Sequence, residues 1–227
     1  MLQEKVIVVT GASGALGKVV ADVALARGAR LAAIDFAATS AAPTPQRLEL
    51  GGVDLTDATQ AKKAIDAAVS HFGKLDGLVN VAGGFAFETV SDGDPKTWQR
   101  MYALNVTTAL NAARAAIPHL LGSDAARIVN IGALGALQAA SGMGAYAAAK
   151  SGVHRLTEAL AAEHKGRITV NAVLPSIIDT PANRASMPKS DFSRWVTPQE
   201  LAEVILFLAS DAASAVTGAL VPVTGRV

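Results

Sequence analysis

Seven short runs rich in β-branched residues, separated by long alanine-rich stretches, set the tightest limit on what this chain can fold into. KVIVVT at 5–10, ARLAAIDF at 29–36, RLELGGVDL at 47–55, LDGLVNVAG at 75–83, ARIVNIG at 126–132, RITVNAVLP at 167–175 and ALVPVTG at 219–225 read as strands. Segments between them, such as AKKAIDAAVSHFG and LTEALAAEHKG, place apolar residues three and four apart and end on glycine, the pattern of helices. Strand, helix and strand in repetition demand a parallel sheet covered on both faces. The expectation is an α/β chain in which residues 1–227 form a single domain, a Rossmann-type doubly wound fold with a seven-stranded parallel sheet. At 51% hydrophobic residues, 227 residues are ample for one continuous core. The least regular stretch, 176–197, holds Met187, Phe192 and Trp195 among prolines and reads as a loop over a site rather than a domain boundary.

Charge narrows the partners. A formal net charge of +1, with 17% charged residues and no basic run, argues against nucleic acid or an anionic membrane and for a small molecule. The absence of cysteine excludes disulfides and thiol chemistry. His71, His119, His154 and His164 show no metal-ligand spacing, so no metal is expected and all four read as surface or helix-packing residues. With neither a signal-peptide pattern nor a span-length apolar stretch, the expected location is cytoplasmic.

The first strand runs into TGASGALG, where Gly11, Gly14 and Gly17 precede a helical pattern. Such glycines let the backbone approach a pyrophosphate, whose charge is favoured by free N–H groups at a helix start. Gly11, Ser13, Gly14, Ala15, Leu16 and Gly17 are therefore candidate dinucleotide contacts. Asp35 ends the second strand 18 residues after Gly17, where a carboxylate can accept from an adenosine ribose and would repel a 2′-phosphate. NAD(H) is expected in preference to NADP(H). Asp54 and Leu55, closing the third predicted strand, are candidates for the adenine side, and Asn80, Ala82 and Gly83 follow the fourth. Each also has a plain reading as a turn residue.

Tyr146 and Lys150 stand four apart, on one face of a predicted helix. A free phenol titrates near 10, too high for a proton carrier at neutral pH. Lowering it by roughly three units takes about 4 kcal/mol, comparable to one ammonium near 4 Å at an effective dielectric of about 20. Lys150 is thus large enough to matter.

With TGxxGxxG, strand-end Asp35, NVAGG, Asn105 within ALNVTT and YAAAK in order, nearly the whole chain resembles the short-chain dehydrogenase/reductase family. That resemblance implies an NAD(H)-dependent oxidoreductase in which Tyr146 passes the proton, Lys150 holds the nicotinamide ribose and tunes the phenol, and Asn105 supports a proton relay. It also implies that LPSIIDTP faces the nicotinamide through Pro175, the Ile178 backbone and Thr180, and that the chain pairs as a homodimer or homotetramer. Ser176 stands where a glycine is common. One departure is serious: the family's substrate-polarising serine falls on Ala133. Ser141 or water could replace that donor in a ketone or alcohol oxidoreductase. A narrower resemblance, carried by VAGGF, GALGAL, GMGAYAAAKSGVH and DTPANRASMPKSDFSRWVTP, is to the dihydropteridine reductases, which work without the serine on a quinonoid ring. It implies a substrate pocket built from Phe85, Phe87, Met187 and Trp195 beside Ala133. From another class, a catalytically dormant NAD(H)-binding sensor is the alternative.

Overall fold

The computed structural model describes residues 2–39 and 41–227, which form one α/β unit around a single seven-stranded sheet. Its strands are β1 (Val6–Thr10), β2 (Arg30–Ile34), β3 (Arg47–Leu50), β4 (Gly77–Asn80), β5 (Ala126–Ile131), β6 (Ile168–Pro175) and β7 (Leu220–Val223). All pair in parallel, in the order β3-β2-β1-β4-β5-β6-β7. Every expected strand is present, but β3 ends at Leu50 rather than Leu55. The chain turns away through Gly51, where a Cβ would lie 2.3 Å from Thr39 N, and Gly52, whose φ is +72°.

The helices are α1 (Ala15–Ala26), α2 (Ala58–Phe72), α3 (Pro95–Tyr102), α4 (Thr108–Leu120), α5 (Gly144–Glu163), α6 (Pro181–Ser186) and α7 (Pro198–Leu208). Successive strand residues face opposite sides, and β1 shows how this divides the core. Ile7 and Val9 pack with Val20 and Ala24 of α1 and Leu201 and Ile205 of α7. Val6 and Val8 pack with Ile65 and Ala68 of α2 and Ala112 and Ala116 of α4. Each of the fully buried Val, Leu and Ile side chains contributes about 1.5–3 kcal/mol through removal from water. Local signals start the helices: the Asp57 carboxylate accepts the Thr59 and Gln60 N–H groups, and Thr197 and Glu200 form a reciprocal capping box behind Pro198.

The chain leaves β1 toward β2 and β3, then returns to place β4 on the other side of β1. Their C-terminal ends therefore diverge into opposite connections, and the crevice outside such a reversal is where open α/β sheets bind ligands. Between β6 and α7 the expected loop is an ordered strap, with Ile178 bridged to Val196, the short α6, and a tight turn at Phe192–Arg194.

Candidate active site

Close approach of backbone to backbone builds the first wall of the crevice. Gly11 has φ +64°, and a Cβ there would lie 2.8 Å from the Ala82 backbone in the β4 exit. At Gly17 a Cβ would lie 2.0 Å from Gly11 O, so only glycine lets α1 sit this close to the turn. Gly14 caps α1 without a side-chain hydrogen bond, leaving first-turn N–H groups for an incoming acceptor. Both features fit a pyrophosphate, the group expected for a nicotinamide dinucleotide. Ser13, Gly14 and Ala15 are exposed here, whereas Leu16 turns into the core.

A cleft of about 290 Å³ continues from this turn past the end of β2, lined among others by Ser13, Lys18, Asp35, Arg47 and Gly51. The Asp35 carboxylate accepts the Ser13 N–H at 2.8 Å and the Ala37 N–H at 2.9 Å, which ties the glycine-rich turn to the strand end. Lys18 and Arg47 share the cleft although they lie 17 residues before and 12 after Asp35. Sequence order concealed this convergence. Arg47 is held by Glu49 at 2.6 Å and faces Asp22 at 3.4 Å. Asp54 and Leu55 do not close a strand. Asp54 folds its carboxylate onto the Thr56 N–H and hydroxyl, and Leu55 packs in the core with its carbonyl accepting from Asn111.

The second wall forms where β4, β5 and α5 meet. Asn80 points its amide into the sheet, donating to Asn130 Oδ1 at 2.9 Å, so its side chain braces strands rather than facing the crevice. The Ala82 N–H donates to Thr10 Oγ1. At Gly83 a Cβ would lie 2.6 Å from Asn105 Oδ1 and 3.5 Å from Lys150 Nζ, so this glycine lets three elements converge. Between α3 and α4 the helix widens into one π turn, Ala103–Thr107, in which the Thr108 N–H reaches back to Ala103 O. Asn105 sits within it. Its amide donates to Gly84 O and Met101 O and accepts the Gly84 N–H. With both N–H groups engaged, the Asn105 amide braces the NVAGG turn in this structure.

Tyr146 stands half-buried in the first turn of α5, with the Phe85 ring edge-on at 5.0 Å. Lys150 is buried one turn later and donates to Ile131 O at 2.7 Å, with Nζ 6.0 Å from the Tyr146 ring centroid. The expected lowering of the phenol is not what the protein alone produces. Burial pushes Tyr146 up to about 12 and Lys150 down to about 8. Desolvation is the cause of both shifts, and the Lys150 ammonium is directed at the Ile131 carbonyl.

Of the residues expected to line a substrate pocket, Ala133 is buried in extended backbone with no hydroxyl to offer. Ser141 is exposed in the turn preceding α5. The Phe87 ring covers Gly142, where a Cβ would lie 2.3 Å from it, and both Phe85 and Phe87 remain largely exposed. Met187 is half-buried at the end of α6. Trp195 does not belong with them: it is 3% exposed and packs against Phe192 at 4.8 Å, seating the strap on the body. Pro175 ends β6. The Ile178 carbonyl accepts from the Asn183 side chain, and the Thr180 hydroxyl accepts the Asn183 N–H as the cap of α6. His71 and His119 meet Thr44 O and Asp66 at the surface, but His154 is buried against the Ala133 N–H. Its place eight residues after Tyr146, on the same helical face, was the available signal for that depth.

A family model described as short chain dehydrogenase matches residues 5–191. The chain is 35% identical to 2-(S)-hydroxypropyl-CoM dehydrogenase 3 of Xanthobacter autotrophicus, over 99% of this chain and 96% of that one. Among solved structures it resembles a short-chain dehydrogenase/reductase (glucose/ribitol dehydrogenase) from Brucella melitensis, with TM-score 0.91 and 29% identity over 99% and 96% of the two chains. It also resembles carveol dehydrogenase from Mycobacterium avium in complex with NAD, with TM-score 0.85 and 30% identity over 98% and 97%. These neighbours are dehydrogenases; none is a dihydropteridine reductase.

Proposed function

The chain belongs to the short chain dehydrogenase family, and on that premise we propose that it is an NAD(H)-preferring oxidoreductase in which the Tyr146 phenol exchanges a proton with a small-molecule substrate. The observation that carries this is the convergence of Gly83, Asn105 and Lys150 at the ends of β4 and β5, beside the Gly11–Gly17 cradle. A nicotinamide cofactor, when bound, supplies or accepts the hydride. Gly11, Ser13, Gly14, Ala15 and Gly17 hold its pyrophosphate, with Leu16 anchoring the turn from below. Asp35 selects the unphosphorylated ribose, and Pro175, Ile178 and Thr180 close over the carboxamide end. Lys150 holds the second ribose while Ile131 O fixes its ammonium. A positive charge brought into the crevice favours the phenolate, opposing the burial that raises Tyr146 to about 12. Asn105 keeps the Gly83–Gly84 turn open for this end of the site.

Ala133 supports a substrate that needs little carbonyl polarisation. An electron-poor conjugated ring, of the quinonoid dihydropterin kind, takes up hydride without a hydroxyl at residue 133 and then needs only the proton from Tyr146. Phe85, edge-on to the phenol, and Phe87, over Gly142, are both exposed and offer the ring faces such a substrate stacks against. The second reading is oxidation of a secondary alcohol or reduction of its ketone, supported by the hydroxypropyl-CoM dehydrogenase relative. In it, Ser141 or water stands in for the missing hydroxyl. Exposed Trp98 and Tyr102 on α3 and Leu104 within the π turn support assembly as a homodimer or homotetramer.

The test is NADH oxidation with a quinonoid dihydropterin and a panel of simple ketones, comparing the protein with Tyr146→Phe. Loss of turnover in the variant with NADH binding retained is expected. Undiminished turnover in Tyr146→Phe would remove the phenol from the mechanism, and NADH binding without turnover on any substrate would favour the dormant sensor.

A further inference from the structure

From the contacts that α5 makes with the exit of β5, we infer that His154 is a positioning residue for the site, clamping the Ala133 backbone so that Lys150 and the substrate wall hold their places. This rests on the reading of Tyr146 and Lys150 as the working pair. Tyr146, Lys150 and His154 recur every four residues along one face of α5, the first half-buried and the other two buried. The Lys150 ammonium donates to Ile131 O at 2.7 Å, and the Ala133 N–H donates to His154 Nε2 at 3.3 Å. A third bond, Ser151 Oγ to Ala136 O at 2.7 Å, extends the clamp past the turn. The segment 131–136 thus hangs from successive turns of the helix that carries the phenol.

Two further observations show that the imidazole is fitted rather than incidental. Gly132 leaves the space it fills: a Cβ there would lie 2.6 Å from His154 Nε2, 2.8 Å from its Cδ2 and 3.1 Å from Leu174 Cδ1. Burial, followed by the charges of Arg155 and Lys150, holds His154 down at about 4, so at neutral pH it is uncharged and can accept. Accepting through Nε2 fixes the ring proton on Nδ1. The consequence reaches the chemistry through Lys150. Releasing Ala133 loosens the strand exit whose Ile131 carbonyl holds the ammonium, and shifts the methyl-lined wall that stands where a polarising hydroxyl would act.

Two variants test it. His154→Leu fills the space without an acceptor, and His154→Gln retains an oxygen that can receive the Ala133 N–H. Nitrogen NMR of the full protein is expected to show the Nδ1–H tautomer, and Ala133 amide exchange is expected to accelerate at least tenfold in His154→Leu but not in His154→Gln. Because displacement of a reacting group is costly, kcat is expected to fall about 10- to 100-fold in His154→Leu, with KM for NADH within about twofold and recovery in His154→Gln. The opposite tautomer, equal Ala133 exchange in all three proteins, or unaltered kcat in a folded His154→Leu would overturn the inference. The exchange and tautomer measurements do not depend on turnover. If they come out as expected while Tyr146→Phe retains activity, the clamp stands and the functional reading fails.

Discussion

Replacing Ala133 by serine supplies the donor whose absence defines this site. The residue is 5% exposed, with φ −158° and ψ 140°, an extended conformation that serine adopts without strain. One hydrogen-bond donor aimed at a developing oxyanion is worth about 10²–10³ in rate, or ~3–4 kcal/mol. The cost is a hydroxyl in a buried place. With no partner in the resting protein it destabilises by about 1–3 kcal/mol, lowering Tm by a few degrees in a chain of this size. Steady-state NADH oxidation with a simple ketone and a quinonoid dihydropterin, measured side by side, separates the two effects. For Ala133→Ser we expect kcat/KM to rise about 10²-fold with the ketone and to stay within about threefold with the quinonoid ring, since only the ketone develops an oxyanion needing that donor. A ketone activity that does not move, in a variant that binds NADH normally, would mean that residue 133 does not face the reacting oxygen. Equal gains on both substrates would refute the reasoning.

Three other outcomes follow from charge and burial. The Asp35 carboxylate facing a 2′-phosphate charge at about 5 Å costs ~3 kcal/mol at an effective dielectric of about 20, so kcat/KM should favour NADH over NADPH roughly 100-fold. Asp35→Ser should shrink that ratio because Lys18 and Arg47 line the same cleft; an unchanged ratio would contradict this account. Burial depresses Lys150 from 10.5 to about 8, so its charged form is penalised below about pH 8 and the penalty fades as pH rises from there toward 10.5. Lys150→Met should therefore abolish turnover yet stabilise the protein at pH 7 by about 2 kcal/mol in urea denaturation, after the lost bond to Ile131 O is subtracted. For Asp76, burial raises the pKa, but the Lys74 ammonium, Val6 N–H and Ser123 hydroxyl together hold it below the usual carboxylate range. Its stabilisation is present above the unfolded-state value near 4 and is lost as pH falls through the lower folded value. Asp76→Asn should be less stable than the parent at pH 7 and lose less stability on acidification; parallel pH profiles would sink this.

The seven strands are legible in the sequence because parallel strands buried on both faces must be apolar throughout, and VIVVT and IVNI can hardly be anything else beside alanine-rich helical spacing. The glycine-rich turn is legible for a related reason, since Gly11 and Gly17 sit where a Cβ would strike backbone. Legibility fails where an outcome depends on what arrives from elsewhere in the chain. Trp195 reads as a pocket aromatic but is a wedge beneath the strap. Asp54 reads as a strand end, but β3 stops four residues earlier because Gly51 and Gly52 turn it aside. The phenol's acidity is the clearest case. Spacing places an ammonium near it, but only the packing shows that Ile131 O engages that ammonium and that burial dominates.

The same packing explains how a half-buried tyrosine, in the first turn of a helix with no side-chain cap, can be held accurately. The buried face of α5 carries three polar residues, and each meets β5 or its exit: Lys150 at Ile131 O, His154 at the Ala133 N–H, and Thr157 at the Asn130 amide. A slip of α5 by one residue moves it about 1.5 Å and rotates it about 100°, which parts all three pairs together. At about 1–3 kcal/mol for each orphaned buried group, the slip costs on the order of 3–9 kcal/mol, comparable to the whole stability of a domain. Tyr146 needs no strong bond of its own under that constraint. Its ring is placed by the buried middle of the helix, Lys150 to Thr157, rather than by contacts of its own hydroxyl.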